Sequence, residues 1–130
     1  MSLKVESGLR YAKTDEWVRV EGDEAVIGIS DYAQDALSDI VYVELPGVGD
    51  TIKAGSPFGV IESVKAASDV LIPGSGEVVA ANDAVVDSPE SINGDPFGAW
   101  LIRVRMSDPS QVDALMDAAA YEAYCATREH

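Results

Sequence analysis

The stretch Val60-Ile61-Glu62-Ser63-Val64-Lys65-Ala66-Ala67-Ser68-Asp69-Val70-Leu71-Ile72 reads as an apolar strand, a lysine, a run of small residues and a second apolar strand. Residues Pro57 to Val64 and Val70 to Ile72 are the two arms, and small residues between them fit a tight reversal. The segment therefore predicts a hairpin with Lys65 at its crest. Two-residue hairpin loops favour Asn-Gly or Gly-X, because they need positive φ. Val64-Lys65-Ala66-Ala67 has no glycine, which predicts a type I turn and a stiff crest that aims the lysine in one direction. Lys65 is the only cation between Lys53 and Arg103, in a chain with 23 acidic and 9 basic residues. By local pattern alone, a solubilising lysine on an exposed turn is the commoner explanation. The other is a lone amine presented for acylation by an enzyme, and the rest of the chain decides between them.

Outward from the hairpin, short strands and turn signals alternate. Trp17 to Glu21 predicts a strand, Gly22-Asp23 a turn, and Ala25 to Ile29 the returning strand. Ser30 reads as the cap of a short helix ending near Leu37, with Asp31 at its positive end. Ile40 to Leu45 is a strand stopped by Pro46-Gly47. A strand is expected around Ile52, another over Val78 to Ala81, and Asn82-Asp83 as a turn leading into Val85-Val86. Gly49-Asp50-Thr51-Ile52-Lys53 echoes Asn82-Asp83-Ala84-Val85-Val86 at nearly equal distance from Lys65, as a quasi-two-fold sandwich or chance would produce. Trp100, Ile102, Val104 and Met106 alternate with Leu101, Arg103 and Arg105, the pattern of a strand with one buried face. Asp108-Pro109-Ser110-Gln111 predicts a capping box, followed by a helix that places Val112, Leu115, Met116 and Ala119 on the body. Tyr121, Tyr124 and Cys125 extend it, and Ala126 to His130 are expected to fray.

Strands at this spacing predict a small barrel or sandwich, and 130 residues are enough for one domain over residues 1–130. No apolar run approaches the ~20 residues of a membrane span. Residues 1–8 lack the apolar core of a signal peptide. The formal net charge of −14 argues against nucleic acid or an anionic membrane as partner. It favours a soluble monomer that meets basic patches on other proteins quickly.

The inventory of reactive groups is short. Cys125 is the single cysteine and reads as a packing residue; His130, the only histidine, is the last residue. Ser-His, Cys-His and His-metal arrangements in an ordered core are thereby excluded, and no Cys metal cluster exists. A Schiff-base lysine belongs in an apolar pocket, whereas Lys65 lies in a turn beside Ala66, Ala67 and Ser68. It is a better target for another enzyme than a catalyst. Glu62 and Asp69 flank the crest, either as docking charges or as solvated ones. Asp35, Asp39, Asp113 and Asp117 read as solvated helix faces.

Taken together, Tyr11 to Trp17, Gly28 to Pro46, Gly59 to Gly76 with Glu62-Ser63-Val64-Lys65-Ala66 and Ser68-Asp69, then Asn82, Pro89, Asn93, Trp100 and Tyr121 resemble the glycine cleavage system H-protein family. The resemblance covers almost the whole chain. It implies a mainly β barrel-sandwich hybrid of the lipoyl and biotinyl type, with short helices including a C-terminal one. It implies lipoate in amide linkage to Lys65 and a carrier that is not itself an enzyme. In that family the lipoyl disulfide accepts an aminomethyl group at glycine decarboxylase. The aminomethyltransferase passes the one-carbon unit to tetrahydrofolate, and dihydrolipoamide dehydrogenase reoxidises the dithiol. Lipoate-attaching enzymes are the further partners. The resemblance also implies a cleft that shelters the loaded arm, at the positions Thr14, Glu16, Tyr32 and Asp69.

The chain departs from the family pattern at Asp15, where histidine usually precedes Glu-Trp, and at Ser38 and Ala99, where glycine is common. A biotin carrier would flank the lysine with methionines. A 2-oxo acid dehydrogenase lipoyl domain would show Asp-Lys-Ala at the crest. An H-like protein relaying lipoyl groups to other enzymes fits the same residues. A lysine-based enzyme would need a pocket around Lys65, and a purely structural module would make Lys65→Arg silent. The absence of a transit peptide favours a bacterial cytoplasmic setting over a processed protein of the mitochondrial matrix.

Overall fold

The computed structural model describes residues 4–128. Strands β1 (Arg10–Tyr11), β2 (Glu16–Glu21) and β3 (Glu24–Ile29) pair antiparallel. Gly22 takes φ +68° at the first central position of the β2–β3 turn, where a II′ hairpin requires glycine. The first half of β2 and nearly all of β3 are buried on two faces. Val18, Ala25, Ile27 and Ile29 enter the main core, while Trp17 and Val26 enter a second cluster with Tyr11, Phe97 and Tyr121. That explains the unbroken apolar run in β3. Trp17 lies directly across from Gly28, and a Cβ there would sit 2.6 Å from the indole. The indole N–H donates to the Pro96 carbonyl at 3.0 Å.

Ser30 caps α1 (Asp31–Leu37) by accepting the Ala33 N–H, as its position in the sequence predicts. The remaining strands are β4 (Ile40–Glu44), β5 (Thr51–Ile52), β6 (Pro57–Ser63), β7 (Ala67–Leu71) and β8 (Gly76–Ala81). Helices α2 (Asp83–Asp87) and α3 (Ser91–Gly94) precede β9 (Ile102–Met106). Last come α4 (Ser110–Asp113) and α5 (Ala118–Ala126). A six-stranded sheet, β1-β2-β3-β9-β8-β5, faces a three-stranded one, β4-β6-β7. Ile27, Ile61, Ile72, Val78 and Ile102 lie in the core between them, each at most 1% exposed. This is the mainly β architecture with short helices that the resemblance implies.

Several expectations need correction. Asn82 is a helix cap, accepting the Ala84 N–H, so Val85 and Val86 lie in α2 despite their β-branching. Burial of Val85 overrides propensity there. The echo with Gly49 to Lys53 is therefore no structural repeat, since that segment enters a strand. Leu101 is fully buried rather than on an open face, because it precedes β9 and donates its N–H to the Ile27 carbonyl. The expected single C-terminal helix is two. Met116 and Tyr11 exchange both backbone hydrogen bonds, at 2.8 and 3.0 Å, which breaks the helix. Asp117 then caps α5 through the Ala120 N–H, so it is a cap rather than a mere solvated face. Asp108 accepts the Ser110 N–H, while Gln111 reaches out to the Ser75 N–H at 2.7 Å instead of closing a capping box.

Candidate functional site

Lys65 stands exposed at the crest between β6 and β7. None of the crest residues takes positive φ, consistent with the absence of glycine. The crest is held by Ser63, whose hydroxyl accepts the N–H groups of Lys65 (3.3 Å) and Ala66 (3.1 Å) and donates to the Ala66 carbonyl. The Ser63 N–H also meets that carbonyl at 2.7 Å, and the Val64 N–H bonds to Asp39 at 3.0 Å. A serine side chain thus supplies what a glycine turn would otherwise provide.

Asn93 fixes the corner between α1 and β4, beside the crest. Its carbonyl oxygen accepts the Ile40 N–H, and its amide donates to Ser38 and Gln34. Ser38 ends α1 at φ +70°, ψ −150°, a region that suits glycine. Glu62 and Asp69 are both exposed, Glu62 across from Tyr42 and Ala67, Asp69 across from Val60.

Thr14, Glu16, Tyr32 and Asp69, drawn from three separate parts of the chain, line one open cavity of about 440 Å³. Ser68, Asp69 and Val70 of β7 form one wall, with Ile61 behind them; Tyr32, Ala33, Ala36 and Leu37 of α1 form the other. At about 3.3 Å per residue, Val70 lies about 10 Å down β7 from Ala67, so the cavity opens within a long side chain's reach of the crest.

Glu16 is the chemical centre of this cavity. It begins β2, pairs with Ile29, and is 2% exposed. One carboxyl oxygen hydrogen-bonds the Thr14 hydroxyl, and the other accepts the Leu71 N–H at 3.3 Å. Burial pushes its pKa up to about 7, against the opposing pull of those two bonds and with help from the nearby Asp15. Glu16 is thus a buried carboxyl whose surroundings favour the protonated form.

The far end of the cavity is closed by a residue that sequence reasoning missed. Arg128 donates to Asp15 through both guanidinium ends, at 2.5 and 2.8 Å. It also stacks over Tyr32 at 4.0 Å and Tyr124 at 4.7 Å. The Asp15 hydrogen bonds hold its proton more firmly still. Contrary to the expected fraying, Ala126 lies within α5 and Thr127 and Arg128 are hydrogen-bonded, while Glu129 and His130 lie outside the described residues. A signal was present, because Tyr121, Tyr124 and Arg128 at i, i+3 and i+7 share one helical face.

Asp15, at φ +78°, also accepts the Tyr121 hydroxyl at 2.7 Å. A carboxylate only accepts, so the Ser30 hydroxyl donates to Tyr121 at 2.6 Å while receiving the Ala33 N–H. Burial keeps the phenol protonated and hence a donor. The start of α1, the end of α5 and the floor of the cleft are thereby joined in one chain of bonds. Cys125 packs in the second cluster.

Comparison with known proteins points one way. Residues 9–128 match the family described as glycine cleavage H-protein. Glycine cleavage system H protein 1 of Caldanaerobacter subterraneus is 53% identical over 125 residues, covering 96% of this chain and all of that one. Glycine cleavage system H protein 2 of Pseudomonas aeruginosa is 52% identical, covering 88% of this chain and 90% of its own length. The crystal structure of a glycine cleavage system H protein from Mycobacterium marinum superposes with a TM-score of 0.87 at 36% identity. It covers 94% of this chain and 99% of that one.

Proposed function

The chain belongs to the glycine cleavage H-protein family, and from that membership we propose that Lys65 carries lipoic acid in amide linkage and that the cavity beside it shelters the loaded arm. The observation that carries this reading is the pairing of an exposed amine on a rigid crest with a buried carboxyl in an adjoining cavity. The donor set fits the group. Ile29, Ile61, Val70 and Leu37 offer apolar surface to a hydrocarbon chain and its sulfurs, and Glu16 and Asp69 offer negative charge to a cationic load. When bound, lipoate supplies a disulfide that takes up an aminomethyl group and is later reoxidised from the dithiol.

The protein's own part is presentation and shelter. Ser63 fixes the direction in which Lys65 leaves the hairpin. Glu16 gives up its proton in favour of an ammonium and holds it by a charge-assisted hydrogen bond. Thr14 orients that carboxyl through its hydroxyl. Tyr32 and the small residues of α1 keep water from the load. Glycine decarboxylase, the aminomethyltransferase and dihydrolipoamide dehydrogenase are the enzymes it serves, and a lipoate-attaching enzyme is the one that modifies it. No residue here is assigned a catalytic role.

Co-expression with a lipoate ligase and lipoate, followed by intact mass and peptide mapping, tests the reading. Four lysines (Lys4, Lys13, Lys53 and Lys65) make the site unambiguous. One adduct confined to Lys65 is expected. No adduct, with the ligase active on a control domain, overturns the proposal.

A further inference from the structure

Resting on that reading of the cleft, we propose that Arg128 is a positioning residue. Clamped by Asp15 and laid over Tyr32, it makes the segment just after α5 a wall of the cavity that retains the loaded arm. Three independent contacts place it there. The guanidinium forms a two-pronged ion pair with Asp15, lies 4.0 Å over the Tyr32 ring, and itself lines the cavity. Its side chain is only 23% exposed.

The pairing also decides the charge that a load meets. An unpaired guanidinium at this spot would repel an ammonium. Asp15 neutralises it, leaving Glu16 and Asp69 as the charges that face the cavity. Arg128 therefore contributes shape and exclusion of water, while adding no net positive charge. Asp15 is what makes this possible. The Ser30–Tyr121–Asp15 bonds hold the carboxylate still, so the clamp is anchored to α1 and α5 alike.

The test compares wild type with Arg128→Ala, Arg128→Lys, Asp15→Asn and Asp15→Asn/Arg128→Ala, each lipoylated on Lys65 and loaded with an aminomethyl group. Two rates are read. One is hydrolytic loss of the load, in which water's oxygen bonds to the carbon and both its carbon–sulfur and carbon–nitrogen bonds break, giving free thiol, formaldehyde and ammonium. The other is alkylation by iodoacetamide of the thiol left free on the loaded arm, followed by intact mass. Arg128→Ala should raise both rates about tenfold, the equivalent of one lost charge-assisted contact. Lysine keeps the charge but lacks the planar fork and stack, so Arg128→Lys should recover only part of the protection. The double variant should be no worse than Arg128→Ala, because the two residues act as a unit.

Asp15→Asn keeps a residue that tolerates positive φ and an acceptor for Tyr121, so it reports on the ion pair with the fold intact. Wild-type rates in both Arg128→Ala and Asp15→Asn, with the wild-type load protected relative to unfolded protein, would overturn the inference alone. Failure of the wild type to take lipoate or to protect its load would instead overturn the reading beneath it.

Discussion

Replacing Glu16 by glutamine should make the protein more stable, and increasingly so as the pH rises. The buried carboxyl is shifted from 4.5 to about 7. At about 1.4 kcal/mol per pH step of displacement, its anion is destabilised in the folded state by about 3 kcal/mol. The sign follows from proton counting. Below pH 4.5 the group is protonated folded and unfolded alike, and it contributes no pH dependence. Between 4.5 and about 7 the folded state keeps a proton that the unfolded state releases, so stability falls as pH rises. Above about 7 the loss is complete. Glutamine imitates the protonated acid, since its amide can donate to the Thr14 oxygen while its carbonyl accepts the Leu71 N–H. The advantage of Glu16→Gln over wild type should therefore grow by about 2–3 kcal/mol between pH 5 and pH 8.5. For a chain of this size, that is a Tm difference widening by about 10 °C. Thermal unfolding by circular dichroism on the unlipoylated protein, at several pH values, measures it. The two proteins share every other carboxylate, so their difference isolates Glu16. Parallel Tm curves, or a glutamine variant that is weaker throughout, would refute the reasoning.

Three further outcomes are expected. Ser38→Gly should raise stability by about 1 kcal/mol, because φ +70°, ψ −150° strains any residue with a Cβ; urea unfolding checks this. Asn93→Ala removes three hydrogen bonds at once and should cost about 2–3 kcal/mol, read in the same way. Ser63→Ala leaves the crest amides to solvent. It should change global stability by less than about 1 kcal/mol yet slow lipoylation of Lys65 several-fold, measured by timed intact mass.

The hairpin, the β2–β3 turn and the Ser30 cap were legible because their signals are local. Alternation, a Gly-Asp turn and a cap depend on neighbours within a few positions. The division of the last helix was not legible, because the Tyr11–Met116 bonds that cause it join residues 105 apart. Glu16 is similar. In sequence it is one acid among 23, and only its place across from Ile29 and the Leu71 amide make it a buried one. Thr14, Glu16, Tyr32 and Asp69 were named through family resemblance; no spacing rule joins them. Their meeting at one cavity is a property of the fold. Asp15 illustrates the limit best. As a departure from its family it carried no assignable meaning until Arg128, at the opposite end of the chain, was seen in its grip.

The bonds that fix the crest run through the Ser63 hydroxyl and the backbone, and none of them uses the Lys65 side chain. Acylating that amine changes the net charge from −14 to −15 and leaves the supporting bonds as they were. The hairpin is consequently a mount indifferent to its cargo. On the proposed reading, an enzyme that docks at the crest meets the same hairpin whether the amine is free or acylated.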